Sequence, residues 1–123
     1  MKKLSGLFFL IITVTISTLG QSAQKIQINI DKFKDSTLLL TSYYGNKIQL
    51  VDTAYSNKSK FTFKFDSLLP GGIYMAVSPR KTKLFEFIIN GEQNITLTTD
   101  TNSYVKGLKV KGSKENEAFF SYV

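Results

Sequence analysis

Any chemistry in this sequence has to come from carboxylates, amines and hydroxyls, because its 123 residues include no Cys and no His. That excludes a thiol nucleophile, a CxxC redox pair, a Ser-His-Asp triad, a haem ligand and an ordinary zinc site. The most conspicuous candidate is Glu86, set between Phe85 and Phe87. A carboxylate buried there would have a raised pKa and could act as an acid. Strand alternation argues against this, since it turns Glu86 to the face opposite Phe85 and Phe87, where it is solvated or paired with a lysine. Asp52 with Asp31 or Asp66 would make an acid/base pair only if the fold held two carboxyl groups ~5–9.5 Å apart. Nothing in their spacing forces that, and Asp at strand ends and turns is ordinary. No dense acidic loop of the calcium-binding kind is present. The expectation is a chain with no catalytic residue, no metal and no cofactor.

Binding residues are easier to find. Arg80, Lys81 and Lys83 cluster in one basic loop suited to an acidic partner. Tyr43, Tyr44, Tyr55 and Tyr74 could line a surface for a sugar or peptide, although strand tyrosines more often pack half-buried. Phe119, Phe120 and Tyr122 close the sequence with an aromatic cluster and are the expected contact for a partner.

Met1-Lys2-Lys3 precedes an uncharged apolar run from Leu4 to Leu19, followed by the small and polar Gly20-Gln21-Ser22-Ala23. This is the layout of a secretory signal peptide over residues 1–23, with cleavage after Gly20 or Ala23. The run is shorter than the ~20 apolar residues that a spanning helix needs. No Cys follows it to carry a lipid. An exported protein of the periplasm or cell envelope is expected, touching the membrane only through its leader. Removing Lys2 and Lys3 leaves 14 Lys and Arg against 9 Asp and Glu, so the formal charge falls from +7 to +5. The remaining lysines are scattered, as on solvated strand faces, and no nucleic-acid partner is expected.

These residues must be positioned by strands, because period-two alternation dominates from Gln24 onward. Ile26, Ile28 and Ile30 alternate with Lys25, Gln27 and Asn29. Leu38 to Tyr44, the turn Gly45-Asn46, and Lys47 to Thr53 read as a hairpin, with Ile48, Leu50 and Asp52 on one face of its second strand. Phe61, Phe63 and Phe65 project from one side of the clearest strand and should anchor the core. Pro70-Gly71 reads as a type II turn with a positive φ at Gly71. Strands follow at Ile73–Val77 and Leu84–Ile89, and Asn90-Gly91 signals a hairpin into the strand carrying Ile95, Leu97 and Thr99. A short strand holds Leu108 and Val110. The fold class is all-β, an antiparallel sandwich or open barrel of seven to eight strands over residues 24–112. Ser113 then fits an N-cap with Glu115 and Glu117 in the first turn, so residues 113–123 begin a short helix.

The order Val51-Asp52-Thr53, a Phe-rich strand, Leu69-Pro70-Gly71-Gly72-Ile73-Tyr74, Asn90-Gly91 and Val110-Lys111-Gly112-Ser113 resembles a known family. It is similar to the β-rich domain of unknown function found N-terminal to thioredoxin-like domains, of the alkyl hydroperoxide reductase and thiol-specific antioxidant type, in exported Bacteroidota-type proteins. In those proteins a linking helix follows the Gly-Ser motif. The resemblance implies a non-catalytic accessory domain that packs against or positions a partner such as a thioredoxin-like domain, and residues 113–123 would be a truncated linking helix. The competing expectation is a free-standing binding module for a small molecule, glycan or peptide, which requires a concave pocket lined by Tyr and Lys.

Overall fold

A computed structural model of the chain describes residues 22–123. All but the last two residues of the expected leader lie outside that range. The described chain folds into eight strands and one helix: β1 (Gln24–Asp31), β2 (Thr37–Tyr44), β3 (Lys47–Tyr55), β4 (Lys60–Phe65), β5 (Gly72–Val77), β6 (Lys83–Ile89), β7 (Asn94–Asp100), β8 (Lys109–Lys111) and α1 (Lys114–Tyr122). They form two four-stranded sheets, ordered β4-β1-β7-β8 (sheet A) and β3-β2-β5-β6 (sheet B).

Alternation places the core between the sheets. In sheet A, Ile26 lies in register with Phe63 on one side and Ile95 on the other, and Ile28 lies between Phe61 and Leu97. Sheet B supplies Leu38, Leu40, Ala76, Phe85, Phe87 and Ile89. Each of the Leu, Ile and Phe side chains contributes roughly 1.5–3 kcal/mol on burial. Phe61 and Phe63 are fully buried, as their alternation predicts, while Phe65 is half-buried against the core.

The all-β sandwich agrees with the sequence reading, with three differences. The first is that β1 and β7 are parallel. The second is that Asn90-Gly91 is not a hairpin turn, because β6 belongs to sheet B and β7 to sheet A. Gly91 does take a positive φ of 82°, so the turn chemistry is present, but it carries the chain across the sandwich. The buried Gln24 side chain steadies that crossing by donating to the Glu92 carbonyl (2.9 Å) and accepting from the Leu69 amide (2.8 Å). The third is that Gly71 has no positive φ. Tyr74 fixes this segment instead, donating from its hydroxyl to the Pro70 carbonyl at 2.6 Å.

Ser113 caps α1 as expected: its Oγ accepts from the Asn116 amide at 3.2 Å. The helix docks beside β6 and β8. Its anchor is Asn116, which is fully buried. The Asn116 side chain accepts from the Ile88 amide and donates to the Ile88 carbonyl, both at 2.6 Å. It thereby occupies the free edge of β6 as a neighbouring strand would.

Candidate functional site

The two outer faces of the sandwich differ in kind. That of sheet A is polar: Lys25, Gln27 and Asn29 sit between Lys60, Thr62 and Lys64 on one side and Thr96 and Thr98 on the other. Asn29 donates to Thr98 Oγ1 at 3.2 Å and accepts from Gln27 at 2.9 Å. This is an ordinary solvated sheet face.

The outer face of sheet B is apolar, and the sequence explains only part of it. Leu38 and Leu40 point inward, which turns Leu39, Thr41 and Tyr43 outward. Opposite them the β2–β3 ladder slips: Leu40 pairs with Asp52, but Thr41 pairs with Leu50. This bulge leaves Val51 unpaired and packed on the core. One extra residue reverses the facing of everything beyond it. Ile48 and Leu50, which alternation back from buried Ala54 would turn inward, instead face solvent at 62% and 59% exposure. Tyr43 and Ile73 flank them at 47% and 49%.

Between these side chains lies a groove of about 650 Å³. Thr41, Met75 and Val77 are buried and line it, with Leu39, Ile48 and Leu50. Lys81 and Lys83 line it as well. Thr41 Oγ1 is buried and, among the described residues, has no hydrogen-bond partner. A second hollow of about 720 Å³ adjoins the groove, sharing Tyr43 and Leu50, and runs toward Pro70 and Ile73.

Hydrogen bonds close a tight turn at the basic end of the groove. The Lys81 amide donates to the Ser78 carbonyl (2.8 Å) and the Ser78 amide to the Thr82 carbonyl (2.9 Å). The Thr82 amide also donates to Ser78 Oγ at 3.2 Å. Lys81 takes a φ of 64° in this tight turn.

Glu86 faces outward, as alternation requires. Its Oε1 accepts from Lys83 Nζ at 2.9 Å and from the Tyr43 hydroxyl at 3.2 Å. Because β5 lies between β2 and β6, the Tyr43–Glu86 bond spans β5, and Met75, in register with both Thr41 and Glu86, is only 1% exposed. The Lys83 hydrogen bond, helped by that of Tyr43 and opposed by desolvation, holds the Glu86 carboxyl below its usual range. Lys83 is raised by its hydrogen bond and charge contact with Glu86. A depressed carboxylate contributes stability above its unfolded pKa and loses it as pH falls through the folded one. A raised lysine contributes below its unfolded pKa and loses it as pH rises through the folded one. The pair is therefore intact across neutral pH. Tyr43→Phe should move the Glu86 titration upward in a carboxyl-carbon NMR experiment. An unmoved midpoint would remove Tyr43 from the network.

The structure divides the basic cluster. Lys81 and Lys83 line the groove, and Lys83, the first residue of β6 rather than a loop residue, is engaged with Glu86. Arg80 lines a separate hollow of about 280 Å³ beside Lys34, Asp35 and Tyr104. The tyrosines disperse too: Tyr43 and Tyr44 lie at the β2 end, Tyr55 at the far end of β3, and Tyr74 is buried. Phe120 stacks edge-on to Phe85 at 6.5 Å, and Phe119 edge-on to Phe120 at 5.1 Å. Both are half-buried, while Tyr122 is 92% exposed. Asp52 is in sheet B, whereas Asp31 ends β1 in sheet A, with Asp66 just past β4. Asp31 instead lies in register with Asp100, an adjacency not foreseen. Asp100 is occupied in a turn, accepting from the Asn102 and Ser103 amides at 2.8 and 3.2 Å. Among the described residues no three His, Cys, Asp or Glu gather into a metal site, and no helix is long and apolar enough to cross a membrane.

Thr41, Met75 and the outward Ile48 and Leu50 are the features that sequence reasoning missed. A bulge leaves no composition signal, and a hydroxyl without a partner cannot be read from a Thr.

The molecule is thus an all-β protein of two packed four-stranded sheets, with one apolar outer face. The family model described as "Domain of unknown function (DUF4369)" matches residues 24–119, and the chain belongs to that family. No curated protein and no solved structure matches the chain.

Proposed function

We propose that this chain is a non-catalytic exported domain that works by binding, with the outer face of sheet B as its contact surface. One observation carries the reading: Tyr43, Ile48 and Leu50 stand exposed around a groove, with Ile73 exposed on the adjoining hollow, on a sheet whose opposite number is covered in Lys, Thr and Asn. Contiguous exposed apolar surface of this kind marks interaction sites. The leader-like first 23 residues and the absence of Cys and His support export and a role without thiol or imidazole chemistry. The groove also meets the requirement set by the binding-module reading, a concave surface with Tyr and Lys in its lining.

Nile red, a neutral dye that shifts to the blue on apolar surfaces, tests this. The wild-type protein should bind it. Ile48→Glu combined with Leu50→Glu should abolish the shift with little change in Tm, because both side chains are exposed. A wild-type protein that leaves the dye unshifted would overturn the reading.

A second reading is an accessory domain that positions a thioredoxin-like partner, as in the proteins the chain resembles. It is favoured by Tyr122, which projects from α1 beside the half-buried Phe119 and Phe120 at the β6 edge. The two surfaces are separable, since Tyr122→Ala should leave dye binding at the groove unchanged.

A further inference from the structure

We propose that the groove on sheet B binds an amphipathic carboxylate, an apolar chain with one anionic head, such as a fatty acid. This rests on reading the face as a binding surface and names what that surface takes.

Three observations converge on this ligand. The first is shape. The groove, at about 650 Å³, falls in the ~300–1,000 Å³ range of small-molecule sites. Leu39, Leu50, Met75 and Val77 give it an apolar stretch that suits a hydrocarbon chain. The second is charge. Lys81 and Lys83 line the same groove, and the Ser78–Thr82 hydrogen bonds fix the backbone of the turn that carries Lys81. A cation beside an apolar lining complements an anionic head on an apolar tail. Lys83 is paired with Glu86 at 2.9 Å and so offsets that carboxylate, which leaves Lys81 as the net charge for the ligand head. The third is Thr41, 94% buried in the groove lining, whose Oγ1 has no hydrogen-bond partner among the described residues. A buried hydroxyl left unpaired is costly, and a ligand carboxylate oxygen seated over Thr41 would relieve it once the side chain turns to meet it.

Other occupants fit less well. A second copy of this chain would bring lysine against lysine on a protein of formal charge +5 once the leader is removed. A peptide added as a strand would need the edge of β3, whereas the groove opens on the face of β2 and β5. A membrane surface shares the ligand's chemistry, so the test must separate it from the free acid.

The experiment is displacement of Nile red from the protein without its leader by dodecanoate, held below its micelle concentration, with dodecan-1-ol as the neutral control. Dodecanoate should displace the dye at about one-fifth the concentration that dodecan-1-ol needs, and the advantage should shrink in about 0.5 M NaCl. Lys81→Gln should weaken dodecanoate about threefold and leave dodecan-1-ol unchanged. Thr41→Val, which keeps the side-chain volume, should weaken dodecanoate without lowering Tm. Dye binding with no preference for dodecanoate over dodecan-1-ol would overturn the carboxylate while the binding surface stood. Absence of dye binding would remove both. Co-sedimentation with phosphatidylglycerol vesicles, without displacement by monomeric dodecanoate, would overturn the proposal in favour of a membrane-docking face.

Discussion

Gly112→Ala should lower stability by about 3 kcal/mol and Tm by on the order of 10–20 °C. Gly112 joins β8 to α1 with a φ of 91°, a conformation that L side chains rarely adopt. A Cβ there would land on the carbonyl oxygen of Asn94, at the start of β7. That atom is backbone in a paired strand, so it cannot swing aside as a flexible side chain would. The displacement would pass to Ser113, whose Oγ caps the helix, and from there to Asn116. Gly45 supplies the control. It too has a positive φ, 61°, but a Cβ at that turn meets nothing within 4 Å. Gly45→Ala should therefore cost only the backbone term, about 1–2 kcal/mol. Equal thermal shifts for the two variants would refute the steric argument.

Asn116→Ala should cost about 2–5 kcal/mol, because it strips partners from two backbone groups at once. The Asn116 side chain satisfies both the amide and the carbonyl of Ile88, and its amide nitrogen also donates to Ser113 Oγ at 2.9 Å. Asn116→Asp discriminates between the contributions. It keeps an acceptor for the Ile88 amide, loses the donor for the carbonyl, and buries a charge among apolar neighbours, so it should be at least as damaging. Hydrogen exchange gives the local readout, with the Ile88 amide losing protection ahead of the central strands. A freed β6 edge is also open to pairing with another chain, so the Ala variant should self-associate as concentration rises. A monomeric variant with unchanged Tm and a protected Ile88 amide would show that the helix docks by other means.

Much of this fold is legible in the sequence, and the failures share a cause. Ile26, Ile28 and Ile30, with Phe61 and Phe63, declare their inward face because one unbroken period of two runs through each strand. The same rule, and its pairing with Lys83, gives the outward Glu86. The Ser113 cap follows from residue type alone. Where reasoning stops short, two strands have to be known together. The slip between Leu40 and Thr41 is a property of the β2–β3 pair, so neither strand alone reveals that Ile48 and Leu50 face out. Asn90-Gly91 carries turn chemistry, but which sheet receives the next strand depends on its pairing with β1, where Ile26 meets Ile95 from 69 residues away. Arg80, Lys81 and Lys83 are neighbours in sequence and part company in space because the chain reverses tightly between Ser78 and Thr82. The groove is the product of such pairwise facts.

The parallel partnership of β1 and β7 also dictates an order of events in time. β1 is an interior strand of sheet A, flanked by β4 and β7, yet it is the first to leave the ribosome. Its register with β7 joins residues 69 positions apart, Ile26 to Ile95 and Ile28 to Leu97. Loop-closure entropy must be overcome before such distant contacts return anything, so proteins dominated by them fold in about milliseconds to seconds rather than microseconds. Until the last third of the chain is made, the isoleucine row of β1 has only β4 beside it and no closed core above it. The topology therefore predicts that the nascent chain completes its fold later than a helical domain of equal length, with the inward isoleucines of β1 left uncovered until β7 is made.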